Sequence, residues 1–96
     1  MKVRQLIGDN IRGYRNKLNI SQEKLSELAN TDRAYIGIVE RGEKSVSAEV
    51  LYRIGLALKI EPHLLMLKDS HRTYHYPKAI LDKFAKNKSV RRTRKS

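Results

Sequence analysis

Apolar residues recur along this chain in short stripes at helical spacing. Between Val3 and Leu18, the residues Ile7, Ile11, Tyr14 and Leu18 follow a four-three-four spacing that marks one buried helix face, while Arg4, Arg12, Arg15 and Lys17 fall largely on the others. Gly8 and Gly13 lie inside this stretch and each lowers helix propensity by roughly 1 kcal/mol relative to Ala, so the segment is expected to depend on tertiary packing. Leu25 with Ala29, then Ile36 with Val39, supply the apolar positions of two shorter helices. Ser21 is a good N-cap for the first of these, with Ile20 ahead of it as a hydrophobic staple, and Asp32 is expected to cap the second. Ser26 is small where the two helices cross, and Asn30 stands where the turn needs positive φ. After Gly42, which suits a helix C-terminus, the polar stretch Glu43-Lys44-Ser45 leads to the cap residue Ser47 and a fourth helix carrying Leu51, Ile54 and Leu58. Pro62 opens a short fifth helix bearing Leu64, Leu65 and Leu67, because proline fits the first helical turn.

Past Lys68 a polar connection containing His and Tyr runs to Pro77, which starts a sixth helix over 77–86 bearing Ile80, Leu81 and Phe84. The fold class is all-α. Residues 1–68 form one five-helix domain, 69–85 a helical extension and 86–96 a basic flexible tail; 96 residues leave little room for a second independent core.

Charge changes the picture more than size does. The net charge is +11, and the tail contributes six of the positive charges through Lys86, Lys88, Arg91, Arg92, Arg94 and Lys95, so residues 1–85 keep +5 without it. Such a surface favours a polyanion, since Lys and Arg gain free energy by displacing the counterions condensed on nucleic acid. The sequence has no apolar run long enough to span a bilayer and no signal-peptide pattern, so the expectation is a soluble protein of the cytoplasm without a membrane partner. With no cysteine there is neither a disulfide framework nor a thiolate metal site.

The stretch from Ser21 to Gly42, SQEKLSELANTDRAYIGIVERG, spaces its residues as two helices joined by a tight turn, a unit able to present its second helix to a DNA groove. Together with the later LALKIEPHLL, the segments SQEKLSELA and DRAYIGIVERGEK resemble the lambda-type repressor and Cro helix-turn-helix family over about Ile7 to Met66. DRAYIGIVERGEKSVS is similar to the controller proteins of restriction-modification systems, small dimeric regulators of their own operon. Ser26 and Asn30 depart from the commoner alanine and glycine of the family; both are physically tolerable there.

The resemblance implies a lambda-repressor-like domain whose recognition helix, Asp32 to Arg41, enters the major groove. Arg33 lies at its start, where a guanidinium can make two parallel hydrogen bonds to guanine O6 and N7, and is the first candidate for base reading, against a plain phosphate contact. Ala34 and Gly37 allow close approach or touch a thymine methyl, or are simply small helix residues. Tyr35 suits a phosphate or sugar contact, or packing alone. The resemblance gives Gln22, at the head of the second helix, to a phosphate, with Ser21 and Lys24 assisting. Thr31 in the turn, and Arg41, Lys44 and Ser45 after the helix, complete the DNA-contact set, with Arg41 reaching for the minor groove. Similar proteins pair the Glu40 position with an arginine on the first helix, and Arg15 is the matching partner.

Other constellations carry less. His71 and His75 are four apart but lack the further ligands of a zinc site, so neither a metal nor a cofactor is expected. Tyr74-His75-Tyr76 has two uses, packing against the fifth helix or stacking on bases. No phosphate-cradling glycine motif, nucleophile elbow or carboxylate pair argues for an enzyme. The apolar set Leu64, Leu65, Leu67, Ile80, Leu81 and Phe84 exceeds what a five-helix core needs, which predicts a homodimer through the fifth helix, the sixth or both, against an intramolecular satellite of the core. The sequence thus reads as a dimeric, sequence-specific regulator of transcription on double-stranded DNA, with a partly palindromic operator, that blocks or recruits RNA polymerase. The alternative is an antitoxin whose extension wraps a toxin partner.

Overall fold

The computed structural model describes residues 2–85, and the basic tail at 86–96 lies outside them. Four α-helices come first, α1 (Val3–Leu18), α2 (Gln22–Ala29), α3 (Arg33–Glu40) and α4 (Ala48–Ala57). A 3-10 helix (Pro62–Met66), a single turn α5 (Ser70–Thr73) and α6 (78–85) follow. Among the described residues there is no strand. The expected stripe of α1 is buried, and Ile11, Tyr14 and Leu18 meet Leu25, Ile36, Ile54, Leu58 and Leu65 in one core, all within 1% of full burial. α1 packs on α3 and the 3-10 helix, while α2 packs on α3 and α4. None of the helices among the described residues is long and apolar enough to cross a membrane.

Each of the first four helices ends in the same closure. The residue after the last turn takes a left-handed conformation, Asn19 (φ 64°), Asn30 (φ 52°), Gly42 (φ 72°) and Lys59 (φ 62°), and two N–H groups turn back onto the last carbonyls. For α2 these bonds run from Asn30 N–H to Glu27 O and from Thr31 N–H to Ser26 O; for α4 they run from Lys59 to Leu56 and from Ile60 to Gly55. Asn and Gly adopt this conformation readily, whereas Lys59 bears the full cost of its Cβ against the following carbonyl. Ile20 and Ile60, the residues just after two of the left-handed positions, are buried and anchor the chain as it leaves α1 and α4.

Helix starts agree with expectation at Ser21 and Ser47, whose hydroxyls accept from Lys24 N–H at 2.9 Å and Val50 N–H at 3.2 Å. Asp32 occupies the N-cap position of α3 but its side chain makes no capping bond. The fifth helix is 3-10 rather than α, and the polar connection after Lys68 contains the helical turn α5.

The extension folds back on α1. Tyr14, Tyr74 and Tyr76 meet edge to face with centroids 4.9–6.3 Å apart, and the Tyr76 hydroxyl donates to Leu58 O at the end of α4. The Tyr14 hydroxyl donates to Ser70 Oγ at 2.8 Å, and Lys17 Nζ to Tyr74 O. Tyr74 and Tyr76 therefore pack within the domain, against α1 and the end of α4. His75 lies beyond α5, so the two histidines do not share a helix face. Fully buried Asn10 ties α1 to this end of the chain: its Nδ2 donates to Leu65 O and Leu67 O, leaving Oδ1 to accept from His71 Nδ1 at 2.8 Å. Neutral His71 thus carries its proton on Nδ1.

The proposed dimer set divides. Leu65 (0% exposed) and Phe84 (7%) belong to the chain's own core, because the 3-10 helix and α6 turn these side chains inward; they are withdrawn as interface residues. Leu64 and Ile80 are half-buried against the same core, and Leu67 and Leu81 remain exposed.

Lys59→Gly removes the left-handed penalty and should raise stability by about 0.5–1 kcal/mol in urea unfolding, after allowing for glycine's greater chain entropy; a loss instead would show that the lysine side chain contributes packing. Burial, followed by the Arg72 charge, pushes the His71 pKa below its ordinary 6.5, with Lys17 adding to the fall and Asp69 and Asp9 opposing it. Its folded pKa being depressed, the unfolded chain takes up the proton first, so stability is whole above about pH 6.5 and is lost as pH falls through the folded value. The melting temperature of His71→Gln should therefore drop less between about pH 7 and 5 than that of the wild type.

Candidate nucleic-acid interface

The placement of α3 rests on a close backbone approach and one buried carboxylate. At Gly8 a Cβ would come within 2.5 and 2.6 Å of Val39 O and Glu40 O, so only glycine lets α1 lie this near the end of α3. Glu40, 2% exposed, receives Arg15 as two parallel bonds, Nε to Oε2 at 2.7 Å and Nη2 to Oε1 at 2.9 Å. This is the expected ion pair, and it has further members. Arg12 Nη2 donates to the Glu40 backbone carbonyl at 2.9 Å, satisfying an orphan acceptor where the helix dipole is negative. Gln22 Nε2 donates to Glu40 Oε1 at 3.0 Å, so the buried carboxylate sets the orientation of an amide at the head of α2.

Around this anchor the contact candidates fall into two groups. Arg33 and Ala34 are exposed on the first turn of α3, and Arg33 makes no ion pair or side-chain hydrogen bond with the described residues. A cation at the first position of a helix meets the positive end of the dipole, an arrangement that stability alone does not favour. Gln22, Arg41 and the start of α2 form the flank, with Ser21 capping Lys24 N–H while the Gln22 and Glu23 N–H groups have no helical partner. Lys24 is half-buried, and Lys44 and Ser45 are exposed on the loop that follows. Arg41 is engaged with Glu43.

Other candidates are held internally. Gly37 is buried, because the Gln22 amide and the Arg41 guanidinium lie over it, Arg41 Nη1 3.4 Å from where a Cβ would stand and Gln22 Oε1 3.6 Å from it. It forms the floor beneath two contact candidates. The Thr31 hydroxyl donates to Ala29 O at 3.1 Å and accepts from Arg53 Nη2 at 3.3 Å. Tyr35 is half-buried, with its hydroxyl directed at Ser45 O at 3.4 Å, and so joins the recognition helix to the loop.

Three residues escaped the sequence reading. Arg12 looked like an outward charge, and only the approach of α3 makes it a cap. Arg53 on α4 donates Nε to Ala29 O at 3.1 Å and so fastens the turn between α2 and α3. Ile38 is half-buried and stands outside the core cluster, one helical turn beyond Ala34 on α3. The i, i+4 relation of Ile38 to Ala34, away from the inward pair Ile36 and Val39, was the available signal.

Comparison with known proteins supports the same assignment. A helix-turn-helix family model matches residues 11–65. The chain is similar to Control protein C.SmaI of Serratia marcescens, 41% identical over 66 residues that make up 68% of this chain and 79% of that protein. Control protein C.BamHI of Bacillus amyloliquefaciens is 38% identical over 65 residues, 67% of this chain and 80% of that protein. Among solved structures, the restriction-modification controller protein C.AhdI from Aeromonas hydrophila superposes with a TM-score of 0.63 at 39% identity, covering 65% of this chain and 94% of that one.

Replacing Glu40 by Ala would leave Arg15 and the Gln22 amide facing a buried gap, and should cost about 3–5 kcal/mol in urea unfolding. A loss below about 1 kcal/mol would mean that water reaches the pair and that it does not anchor α3. Fold, anchored recognition helix and relatives agree, and the chain belongs to the helix-turn-helix family of DNA-binding regulators.

Proposed function

We propose that this chain is a controller-type transcriptional regulator that binds a partly palindromic operator as a homodimer and regulates its own operon in a bacterial or phage-infected cytoplasm. The observation that carries the reading is Arg33, exposed beside Ala34 on the first turn of α3 and without an ion pair among the described residues, on a helix whose far end the Glu40 anchor fixes to α1 and α2. Arg33 reads a guanine through two hydrogen bonds, while Ala34 and Ile38 meet base edges or thymine methyl groups. Gln22, the first-turn N–H groups of α2, Lys24, Arg41, Lys44 and Ser45 set the register on phosphates.

Two such helices read half-sites about 34 Å apart on one face of the duplex. Met66, Leu67 and Leu81, which are 51%, 51% and 40% exposed, support an interface with a second copy. The antitoxin alternative gains no support from the extension, whose Tyr74, Tyr76 and Phe84 lie against their own domain.

Selection from a random duplex library should return a symmetric site with the wild type. Arg33→Ala should lose about 1–3 kcal/mol of discrimination at one base position in each half-site, with the other positions kept. Equal weakening on every sequence would reduce Arg33 to a phosphate contact, and an enriched pool without symmetry would remove the dimer.

A further inference from the structure

The turn after α3 brings together two side chains that a helix would hold apart. Residues two apart on a helix point to different sides, but Gly42 breaks the helix at φ 72°, and Glu43 N–H closes onto Ile38 O at 3.1 Å. The turn is fixed from outside as well, since a Cβ on Gly42 would come 2.9 Å from Gln5 Cγ and 3.1 Å from its Cα. Arg41 and Glu43 then meet edge on, Nε to Oε2 at 2.9 Å and Nη2 to Oε1 at 3.3 Å. Both are solvent-exposed, at 55% and 56% of their side-chain surface, and the Arg41 guanidinium lies with the Gln22 amide over Gly37.

A carboxylate held along the Nε–Nη2 edge of a guanidinium presents two oxygens in the arrangement a phosphodiester would offer. We propose that Glu43 is a specificity-determining residue, an internal substitute for a DNA phosphate that occupies Arg41 until the recognition helix is seated on its matching site. This rests on the DNA-binding reading above. The pair draws the Glu43 carboxyl below its usual range and Arg41 above its own, chiefly through the hydrogen bonds between them. On an arbitrary duplex, contact with Arg41 requires breaking that pair and bringing the Glu43 charge up to the phosphates. On the matching site, the base contacts of Arg33 hold α3 in the groove and offset the exchange. Glu43 therefore subtracts more affinity from random DNA than from the operator. The exposed pair is weak enough to exchange rapidly, as such a device requires.

The test is fluorescence anisotropy on two labelled duplexes, one recovered from the selection and one of scrambled sequence, over a salt series. Glu43→Gln keeps the side-chain shape, and a thermal melt confirms that it folds. It should bind the scrambled duplex about three- to tenfold more tightly, gain less on the selected duplex, and steepen the log K against log salt slope on scrambled DNA by about 0.9, the value of one added phosphate contact. In an Arg41→Ala background the same substitution should give a clearly smaller gain. An equal gain with and without Arg41 would reduce Glu43 to a general negative charge and overturn the proposal, as would no gain on scrambled DNA. A wild type that does not distinguish the two duplexes refutes the sequence-specific regulator by itself, while the dependence of the Glu43→Gln gain on Arg41 still decides whether the mask exists.

Discussion

The carboxylate of Glu40 is the constraint on which the reading surface depends. It accepts two bonds from Arg15 of α1 and one from Gln22 of α2, and the backbone carbonyl of the same residue accepts from Arg12. One residue at the end of α3 thereby fixes that helix to both of its neighbours. A buried ion pair is not in itself a strong stabiliser, since apolar residues of similar volume often serve a core as well. What an apolar residue cannot do is orient the Gln22 amide or receive the Arg12 and Arg15 guanidinium groups. The charge at Glu40 is better understood as setting geometry than as adding stability, and Gly8 permits that geometry by letting the two backbones meet.

The second constraint is how the chain reverses between short helices. Eight-residue helices such as α2 and α3 are marginal alone, so their ends must be closed and their directions set by something other than propensity. Asn19, Asn30, Gly42 and Lys59 do this with one left-handed residue each. Arg53 reinforces the reversal between α2 and α3 by bonding to Ala29 O and Thr31. That turn and the Gln22–Glu40 bond together hold the head of α2 against α3.

Legibility in the sequence tracks the range of the interaction. The boundaries of α1, the caps Ser21 and Ser47, the left-handed Asn30 and the buried stripe of α1 depend on neighbours within a few positions, and spacing reveals them. The Arg15–Glu40 pair came through resemblance, because 25 residues separate its members. Asn10 with His71, the Tyr14–Tyr74–Tyr76 cluster and the Arg12 cap join residues 28 to 62 positions apart, and no local pattern encodes them. Leu65 and Phe84 show the converse limit: an apolar side chain announces that it will be covered, and not by what. Leu65 is buried because the 3-10 helix packs on α1 and α4, and Phe84 because the extension folds back on the domain.

Within the described residues every buried side-chain nitrogen and oxygen has a hydrogen-bond partner, so the framework holds no unresolved polar cost. Several departures from local optimum lie on α3 and the turn after it. Arg33 places a cation at the positive end of a helix, Gly37 sits mid-helix where it weakens propensity, Ile38 leaves apolar surface in water, and Arg41 is held by an acid two residues on. Each of these is unfavourable or neutral for the isolated domain and becomes useful against a polyanion with readable base edges. A satisfied core beneath a helix that carries such misfits is the pattern expected when folding and recognition are selected on different residues of the same short helix.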